Sequence, residues 1–150
     1  MLQEGELAPE FELSAGDGSV VRLKDLRGKK VVLYFYPRDD TPGCTKEACS
    51  FRDSSEAYAA RGAAVFGVSA DSARSHQKFT TKFGLNFPLL SDPDHTVALA
   101  YDSWGKKKFM GREYEGIKRN TFLIDEEGRI AKVWEAVKPD GHADEVLAAL

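Results

Sequence analysis

The sequence predicts an α/β fold with a central mixed β-sheet flanked by helices. Strand-like apolar runs alternate with helical patterns along the first part of the chain, and a strand pair and a helix complete it. The chain has 150 residues, of which 42% are hydrophobic and 30% charged. This size and composition are typical of one globular domain, here residues 1–150.

The first predicted elements are strands. Two apolar runs, 11–13 and 20–23, flank the turn-forming segment 15–19, which indicates an N-terminal β-hairpin. Residues 30–36 are almost wholly apolar, as in a central strand that is covered on both faces. Residues 63–69 form another apolar strand, so the helix between them completes a strand–helix–strand unit with a right-handed crossover.

That first helix is predicted from about residue 43 to residue 61. Five side chains recur on one helical face: Cys44, Ala48, Phe51, Ser55 and Tyr58. The next helix has Asp71 or Ser72 as its cap and ends near Gly84. Phe79 and Phe83 are expected on its inward face.

The last third of the chain is predicted to begin with a short strand at 89–90. Asp92 and Pro93 then suit the N-cap and first residue of a short helix reaching Tyr101. Residues 102–116 are expected as a loop that includes the solvated run Lys106–Lys108. A hairpin of residues 117–124 and 129–134 and a helix over 141–150 follow. This order matches a thioredoxin-like layout with an added N-terminal hairpin.

Charge and hydropathy exclude several functional classes. The net charge of −3 gives no electrostatic basis for binding nucleic acid or an anionic membrane. No segment approaches the ~20 apolar residues of a membrane span, and the N-terminus lacks the features of an export signal. We therefore expect a cytoplasmic protein, and in the reducing cytosol a pair of cysteines is more often catalytic or redox-sensing than structural.

Cys44 has the position of an activated nucleophile. Thr41, Pro42 and Gly43 suit the N-cap and first two positions of the helix, which makes Cys44 the third helical residue. Free N–H groups and the positive end of the helix dipole favour an anion at this position. The sequence therefore predicts that Cys44 is readily ionised to a thiolate.

The spacing of the two cysteines indicates a transient disulfide. Five helical residues separate the Cα atoms of Cys44 and Cys49 by about 8.6 Å and their directions by about 140°. A disulfide needs Cα atoms within about 7 Å, so the pair can join only if the first turns of the helix unwind. Cys49 shares its side of the helix with Arg52 and Glu56, away from the apolar face.

Simpler interpretations of these residues also exist. Cys49 taken alone could be a small buried hydrophobic residue, Thr41 only a helix cap, and Pro37 only a strand stop. A C-x4-C spacing fits no common zinc pattern, and the three histidines are scattered at His76, His95 and His142. No metal site is expected, and His76 suits a hydrogen-bonded core position beside Phe79.

Segment 34–53 resembles the peroxiredoxins, and closely those of the bacterioferritin comigratory protein or peroxiredoxin Q type. The family signature P-x-x-x-T-x-x-C is matched by Pro37, Thr41 and Cys44, and the second cysteine of the subfamily by Cys49. Further similar segments lie at 5–11, 89–92 and 119–125.

The resemblance implies a thiol-dependent peroxidase for hydrogen peroxide and small alkyl hydroperoxides, with Cys44 as peroxidatic and Cys49 as resolving residue. It also implies that Arg119, by itself an ordinary surface residue, reaches the Cys44 sulfur. Arg119, the Thr41 hydroxyl and the Cys44 backbone N–H would hold the peroxide, and Pro37 would wall the pocket. Thioredoxin or a similar dithiol would be the reductant of a monomeric enzyme that needs no metal or organic cofactor.

Three other functions remain open from the residues. A general thiol–disulfide oxidoreductase would typically carry C-x-x-C and a proline before the late strand, whereas this chain has C-x4-C and no proline between Pro93 and Pro139. A redox-sensing or holdase-like interaction protein could use the Cys44–Cys49 disulfide as a switch. A structural, non-catalytic domain is disfavoured by the position of Cys44 at a helix start.

Overall fold

The computed structural model describes residues 1–150, which form nine strands and five α-helices. The strands are β1 (Glu12–Ala15), β2 (Val20–Arg22), β3 (Lys30–Phe35), β4 (Ala63–Ser69), β5 (Leu89–Ser91), β6 (Trp104–Phe109), β7 (Arg112–Ile117), β8 (Thr121–Ile124) and β9 (Ile130–Trp134). The helices are α1 (Pro42–Asp53), α2 (Ser55–Ala60), α3 (Ala73–Phe83), α4 (Thr96–Ala100) and α5 (His142–Ala148), with a short 3₁₀ helix at Leu23–Leu26.

Seven strands form one mixed sheet in the order β2-β1-β5-β4-β3-β8-β9. β3 pairs in parallel with β4, and β4 with β5, whereas the other neighbours are antiparallel. The N-terminal hairpin extends this sheet because β1 pairs with β5. The predicted α/β architecture with a central mixed sheet and an added hairpin is confirmed.

Strand β3 separates two hydrophobic cores. Its residues point alternately to the two faces, so that Leu33 and Phe35 lie in one core and Val32 and Tyr34 in the other. The first core also contains α4 side chains, and the second contains side chains of α1, α3 and α5. The apolar run 30–36 is therefore buried on both faces, as its composition predicts. No helix combines the length and the apolar character that crossing a bilayer requires.

The predicted helix over 43–61 is wrong in one respect, because it is two helices. Ser54 lies between α1 and α2 with φ −99° and ψ 7°, outside the regular helical conformation. The break falls in the Asp53-Ser54-Ser55 segment, whose short polar side chains favour helix ends over helix interiors.

The start of α4 also differs from the prediction. The helix begins at Thr96, after His95 with a positive φ of 59°, and not at Pro93. Asp92 still satisfies the first turn, because its carboxylate accepts the N–H groups of Val97 at 3.2 Å and Ala98 at 2.8 Å. The cap therefore acts across an intervening turn.

Residues 102–116, which we predicted as a loop, contain most of a two-stranded hairpin of β6 and β7. Its turn is Met110-Gly111, in which both residues have positive φ. The strands lack the apolar alternation that marks a half-buried strand, because most of their side chains lie in solvent. Ile117 ends β7, so the late hairpin of β8 and β9 begins only at Thr121.

Candidate active site

The N-terminus of α1 places Cys44 as the third helical residue. Thr41 precedes the helix in extended conformation, and Pro42 occupies the first position, where its missing N–H costs nothing. The Thr45 N–H already donates to the Thr41 carbonyl at 2.8 Å. The Cys44 N–H comes before that bond and has no intrahelical acceptor.

The Thr41 hydroxyl does not cap α1. It donates instead to the Arg38 carbonyl at 3.0 Å, inside the loop that joins β3 to α1. The prediction of Thr41 as a helix cap is therefore right for its backbone and wrong for its side chain. With its proton used in this bond, the hydroxyl oxygen is left as an acceptor.

Cys44 lies beneath the surface, with 2% of the residue exposed, and packs in the second core with Ala48. The Arg119 Nη2 atom donates to the Cys44 Sγ atom at 3.3 Å. Gly43 makes room for this approach, since a Cβ atom there would lie 3.3 Å from the same Nη2. The contact places a fixed positive charge directly beside the sulfur.

Glu47, one turn along α1, is the second partner of Arg119. Its Oε1 accepts from Nη1 at 2.7 Å, and the residue is 1% exposed. Burial raises the pKa of Glu47 to about 7, against the opposing attraction of Arg119. Its other oxygen, Oε2, is buried without a hydrogen-bond partner, which suits a carboxyl group that holds a proton.

Arg119 is fixed through its backbone and its neighbour in sequence. Its carbonyl accepts the Val137 N–H at 2.8 Å. The Asn120 amide oxygen accepts from the Ala136 N–H at 3.1 Å, and its Nδ2 donates to Ser103 Oγ at 3.1 Å. Because β8 pairs with β3, this segment lies beside the start of α1.

Lys107 on β6 brings a further cation. Its ammonium donates to the Ile117 carbonyl at 2.9 Å, and its stem crosses the strand pair over Gly116, where a Cβ atom would lie 3.4 Å from Lys107 Cδ. Burial and the charge of Arg119 lower the pKa of Lys107, while Cys44 acts in the opposite direction. Lys107 and Arg119 also line one cavity of about 510 Å³.

Of the five residues singled out from the sequence, Cys44 and Arg119 are in direct contact, and the other three lie in the segment 37–49 that contains Cys44. Pro37 is half-buried two residues after the end of β3, and Cys49 is half-buried further along α1. Both cysteines are free thiols, and both lie within the continuous helix Pro42–Asp53. Arg119 lies in the segment just before β8, and the fold brings it into contact with Cys44.

Comparison with known proteins identifies the family. Residues 5–133 match the model of the AhpC/TSA family. This chain belongs to that family. A putative peroxiredoxin Bcp of Coxiella burnetii is 52% identical over 149 residues, which cover 99% of each chain. The peroxiredoxin Bcp of Bacillus subtilis is 51% identical, over 99% of this chain and 95% of its own. The resemblance to peroxiredoxins of the Bcp type is thus confirmed.

Solved structures agree with this assignment. A cysteine-to-serine mutant of Xylella fastidiosa PrxQ matches this peroxiredoxin with a TM-score of 0.94 at 36% identity, over 99% of this chain and 95% of that chain. The bacterioferritin comigratory protein of Xanthomonas campestris matches with a TM-score of 0.91 at 39% identity, over 98% and 96% of the two chains. Alkyl peroxide reduction activity is attributed to that Xanthomonas protein.

Sequence reasoning missed two charged residues of this peroxiredoxin. Glu47 has the ordinary appearance of a solvent-facing helical glutamate, and only its i+3 spacing from Cys44 could have drawn attention to it. Lys107 belongs to the Lys106–Lys108 run that we predicted as a solvated loop. No group of three or more His, Cys, Asp or Glu side chains is arranged to hold a metal ion.

Proposed function

We propose that this peroxiredoxin reduces hydrogen peroxide and small alkyl hydroperoxides by a two-cysteine mechanism, with Cys44 as peroxidatic and Cys49 as resolving thiol. The observation that carries the proposal is the contact of the Arg119 guanidinium with the Cys44 sulfur at 3.3 Å, at the start of a helix. A thiolate held by a cation and by helical N–H groups is the nucleophile that peroxide chemistry requires.

In the first step the Cys44 thiolate attacks one peroxide oxygen. The S–O bond forms as the O–O bond breaks, which leaves a sulfenic acid and a hydroxide or alkoxide that is protonated to water or alcohol. The Cys44 N–H and Arg119 stabilise the negative charge on the departing oxygen. The Thr41 oxygen accepts the peroxide O–H, and Pro37 shields the site from water.

In the second step the Cys49 thiol attacks the Cys44 sulfenic acid. The disulfide forms, and the sulfenic oxygen leaves as water. Because both cysteines belong to α1, the helix must unwind over its first two turns for the sulfur atoms to meet.

An external dithiol then reduces the disulfide by thiol–disulfide exchange. Thioredoxin or a similar protein suits this role, and a cytosolic location would supply it in reduced form. We assign the activity to one peroxidase domain of residues 1–150 that acts as a monomer. One seven-stranded sheet takes in strands from Glu12 to Trp134, which supports the single domain.

Stopped-flow oxidation of the reduced protein by stoichiometric hydrogen peroxide tests the two cysteine roles. We expect Cys44→Ser to abolish the fast phase and Cys49→Ser to retain it and to accumulate a sulfenic acid that dimedone traps. Loss of the first oxidation in Cys49→Ser would mean that the roles are reversed.

Recycling distinguishes an enzyme from a switch. With thioredoxin, its reductase and NADPH, we expect many turnovers of peroxide per protein. A protein that oxidises once and is never re-reduced by any dithiol would be a sensor or holdase, and the peroxidase proposal would be wrong.

A further inference from the structure

The loop Pro37–Thr41 is tied to the protein interior by one carboxylate. Asp39 is only 9% exposed although it carries a charge. Its Oδ1 accepts from the Tyr36 hydroxyl at 2.5 Å, and its Oδ2 accepts from Ser75 Oγ at 2.7 Å. The same Oδ2 lies 2.7 Å from the Nδ1 atom of His76, which is completely buried.

The backbone of Asp39 is anchored as well. Its N–H donates to Asp71 Oδ2 at 2.7 Å, and Ser69 Oγ donates to the same carboxylate oxygen at 2.9 Å. Ser69 ends β4, and His76 lies on α3. The sheet and a helix on its second-core face therefore hold one residue of the loop from several directions.

Both ring nitrogens of His76 have hydrogen-bond partners. Its Nε2 lies 3.0 Å from the Leu90 carbonyl, which can only accept, so Nε2 carries a proton. Burial raises the pKa of Asp39, but hydrogen bonds from His76 and Tyr36 outweigh it and hold this pKa below its ordinary value. The 2.7 Å contact between Asp39 Oδ2 and His76 Nδ1 therefore joins a carboxylate to a ring whose other nitrogen already donates, which is the arrangement of a buried ion pair.

The loop needs such an anchor because it contains a strained residue. Asp40 has a positive φ of 54°, a conformation that costs a non-glycine residue free energy and persists only where its surroundings impose it. The loop also makes two exposed contacts. Asp40 forms an ion pair with Lys82, and the Thr41 hydroxyl donates to the Arg38 carbonyl. The buried contacts of Asp39 lie one residue before this strained position.

We propose that Asp39 and His76 form a charged positioning pair for peroxide reduction, which holds the loop so that Pro37 and Thr41 stand over Cys44. Neither residue touches the reacting atoms, and the inference rests on the proposed peroxidase function. The pair acts on the first chemical step, where a displacement of about 1 Å can cost up to 100-fold in rate. Disulfide formation, which proceeds from unwound α1, does not depend on it.

Asp39→Ala removes the side-chain hydrogen bonds to Tyr36, Ser75 and His76. Asp39→Asn can keep hydrogen bonds at this position without a negative charge. An asparagine can donate its amide N–H to a neutral His76 Nδ1 and accept from Tyr36. We expect the rate constant for the first oxidation by hydrogen peroxide to fall at least tenfold in Asp39→Ala and less than threefold in Asp39→Asn. The later rate of disulfide formation should not fall in either variant.

Two further variants separate positioning from stability. Tyr36→Phe removes a single donor to Asp39, and we expect a several-fold slower first oxidation in a protein that folds normally. Tyr101→Phe is the matched control, because it removes a buried bond of 2.6 Å to the Pro9 carbonyl on the other face of the sheet. Its first oxidation should equal that of the wild type.

Several outcomes would overturn the proposal. One is a first oxidation at the wild-type rate in Asp39→Ala or, should that variant not fold, in Tyr36→Phe. Another is an equal slowing of the first oxidation and of disulfide formation. A neutral His76 ring in ¹⁵N NMR spectra at pH 7 would contradict the charged pair. Failure of the peroxidase function itself is distinguishable, because then the wild type would also show no fast oxidation.

Discussion

Arg119 can act on Cys44 because each part of its guanidinium has a defined neighbour. Nη2 contacts the Cys44 sulfur and Nη1 the Glu47 carboxyl, and Gly43 leaves the space that the contact with sulfur needs. Burial by itself would lower the pKa of Arg119. The attraction of Glu47 and Cys44 is stronger and raises this pKa above its ordinary value. The guanidinium therefore remains a permanent cation, held in one orientation by a bidentate set of contacts.

Glu47 should make stability depend on pH. Its pKa is raised from 4.5 to about 7 in the folded protein, so the folded state binds this proton more tightly. The resulting stabilisation is complete below about pH 4.5 and is lost as the pH rises through 7, and it amounts to about 3 kcal/mol. Glu47→Gln keeps an acceptor for Arg119 and cannot ionise. Urea unfolding should show its stability relative to the wild type rising by about this amount from pH 4.5 to 8.

The exposed helical residue Glu56 provides the control for this experiment. Glu56→Gln should follow the wild-type profile of unfolding free energy across the same pH range. Parallel profiles for Glu47→Gln and the wild type would contradict the buried, proton-holding carboxyl.

Tyr34 carries a buried hydroxyl without a hydrogen-bond partner. Its ring stacks on Phe51 with centroids 4.8 Å apart, and Gly67 provides the space beneath it, since a Cβ atom there would lie 2.8 Å from Tyr34 Cζ. Tyr34→Phe keeps the ring and removes the unsatisfied group. We expect the free energy of unfolding to rise by about 1 kcal/mol in urea denaturation.

Tyr58→Phe is the matched comparison for Tyr34→Phe. The Tyr58 hydroxyl donates to the Ala143 carbonyl at 2.6 Å, so its removal breaks a buried hydrogen bond. This variant should lose about 1 kcal/mol. A loss of stability in Tyr34→Phe as well would show that its hydroxyl has a partner after all.

At the scale of elements, the proposed disulfide requires part of α1 to unwind while both of its ends are held in place. On one side the loop is held at Asp39, and on the other Phe51 is 1% exposed while Arg52 donates to the Phe83 carbonyl at 2.5 Å. Between these anchors lie Cys44 and Cys49. Unwinding for the disulfide can therefore be confined to the first two turns of the helix.

Circular dichroism should detect this unwinding. We expect the disulfide form to show less helical signal at 222 nm than the reduced form, because about two turns of α1 are lost. Cys49→Ser oxidised by one equivalent of peroxide is the control, since it can form the sulfenic acid but no intramolecular disulfide. Equal spectra for the reduced and disulfide forms of the wild type would mean that α1 does not unwind.

The β6–β7 hairpin is the element that places Lys107. Gly105 and Gly116 face each other across the two strands, and the Lys118 and Lys107 stems pass over them. Side chains at these glycines would occupy the space of both stems. The paired glycines therefore explain how one lysine of a basic run is turned toward Arg119.

At the scale of the whole molecule, stability resides in the two cores and not in this hairpin. Phe122 is completely buried, with ring centroids 5.9 Å from Phe35 and 5.2 Å from Tyr101, whereas Phe109 near the hairpin turn is 66% exposed. Phe122→Ala should cost about 3–5 kcal/mol of unfolding free energy, and Phe109→Ser less than about 0.5 kcal/mol. Denaturation of the two variants in urea would show the difference. A large loss in Phe109→Ser would mean that the hairpin packs on the core.

Most of the fold can be predicted from the sequence because its main elements have buried faces. The strand 30–36 and the face containing Cys44, Ala48 and Phe51 are recognisable since burial imposes an apolar pattern on them. The β6–β7 hairpin lacks such a pattern because it has no buried face of its own. The break at Ser54 and the cap of Asp92 across a turn depend on packing and spacing that local propensity does not encode.

The sequence by itself determined the parts of the site that depend on local backbone geometry. The position of Cys44 at a helix start follows from Thr41, Pro42 and Gly43. The five-residue spacing to Cys49 means that the proposed disulfide would require the helix to unwind. Only the tertiary structure decided which charges surround the sulfur. Arg119 lies 75 residues from Cys44 along the chain and reaches it because β8 pairs with β3. Burial at that contact raises the pKa of Glu47, a common helical residue, to about 7.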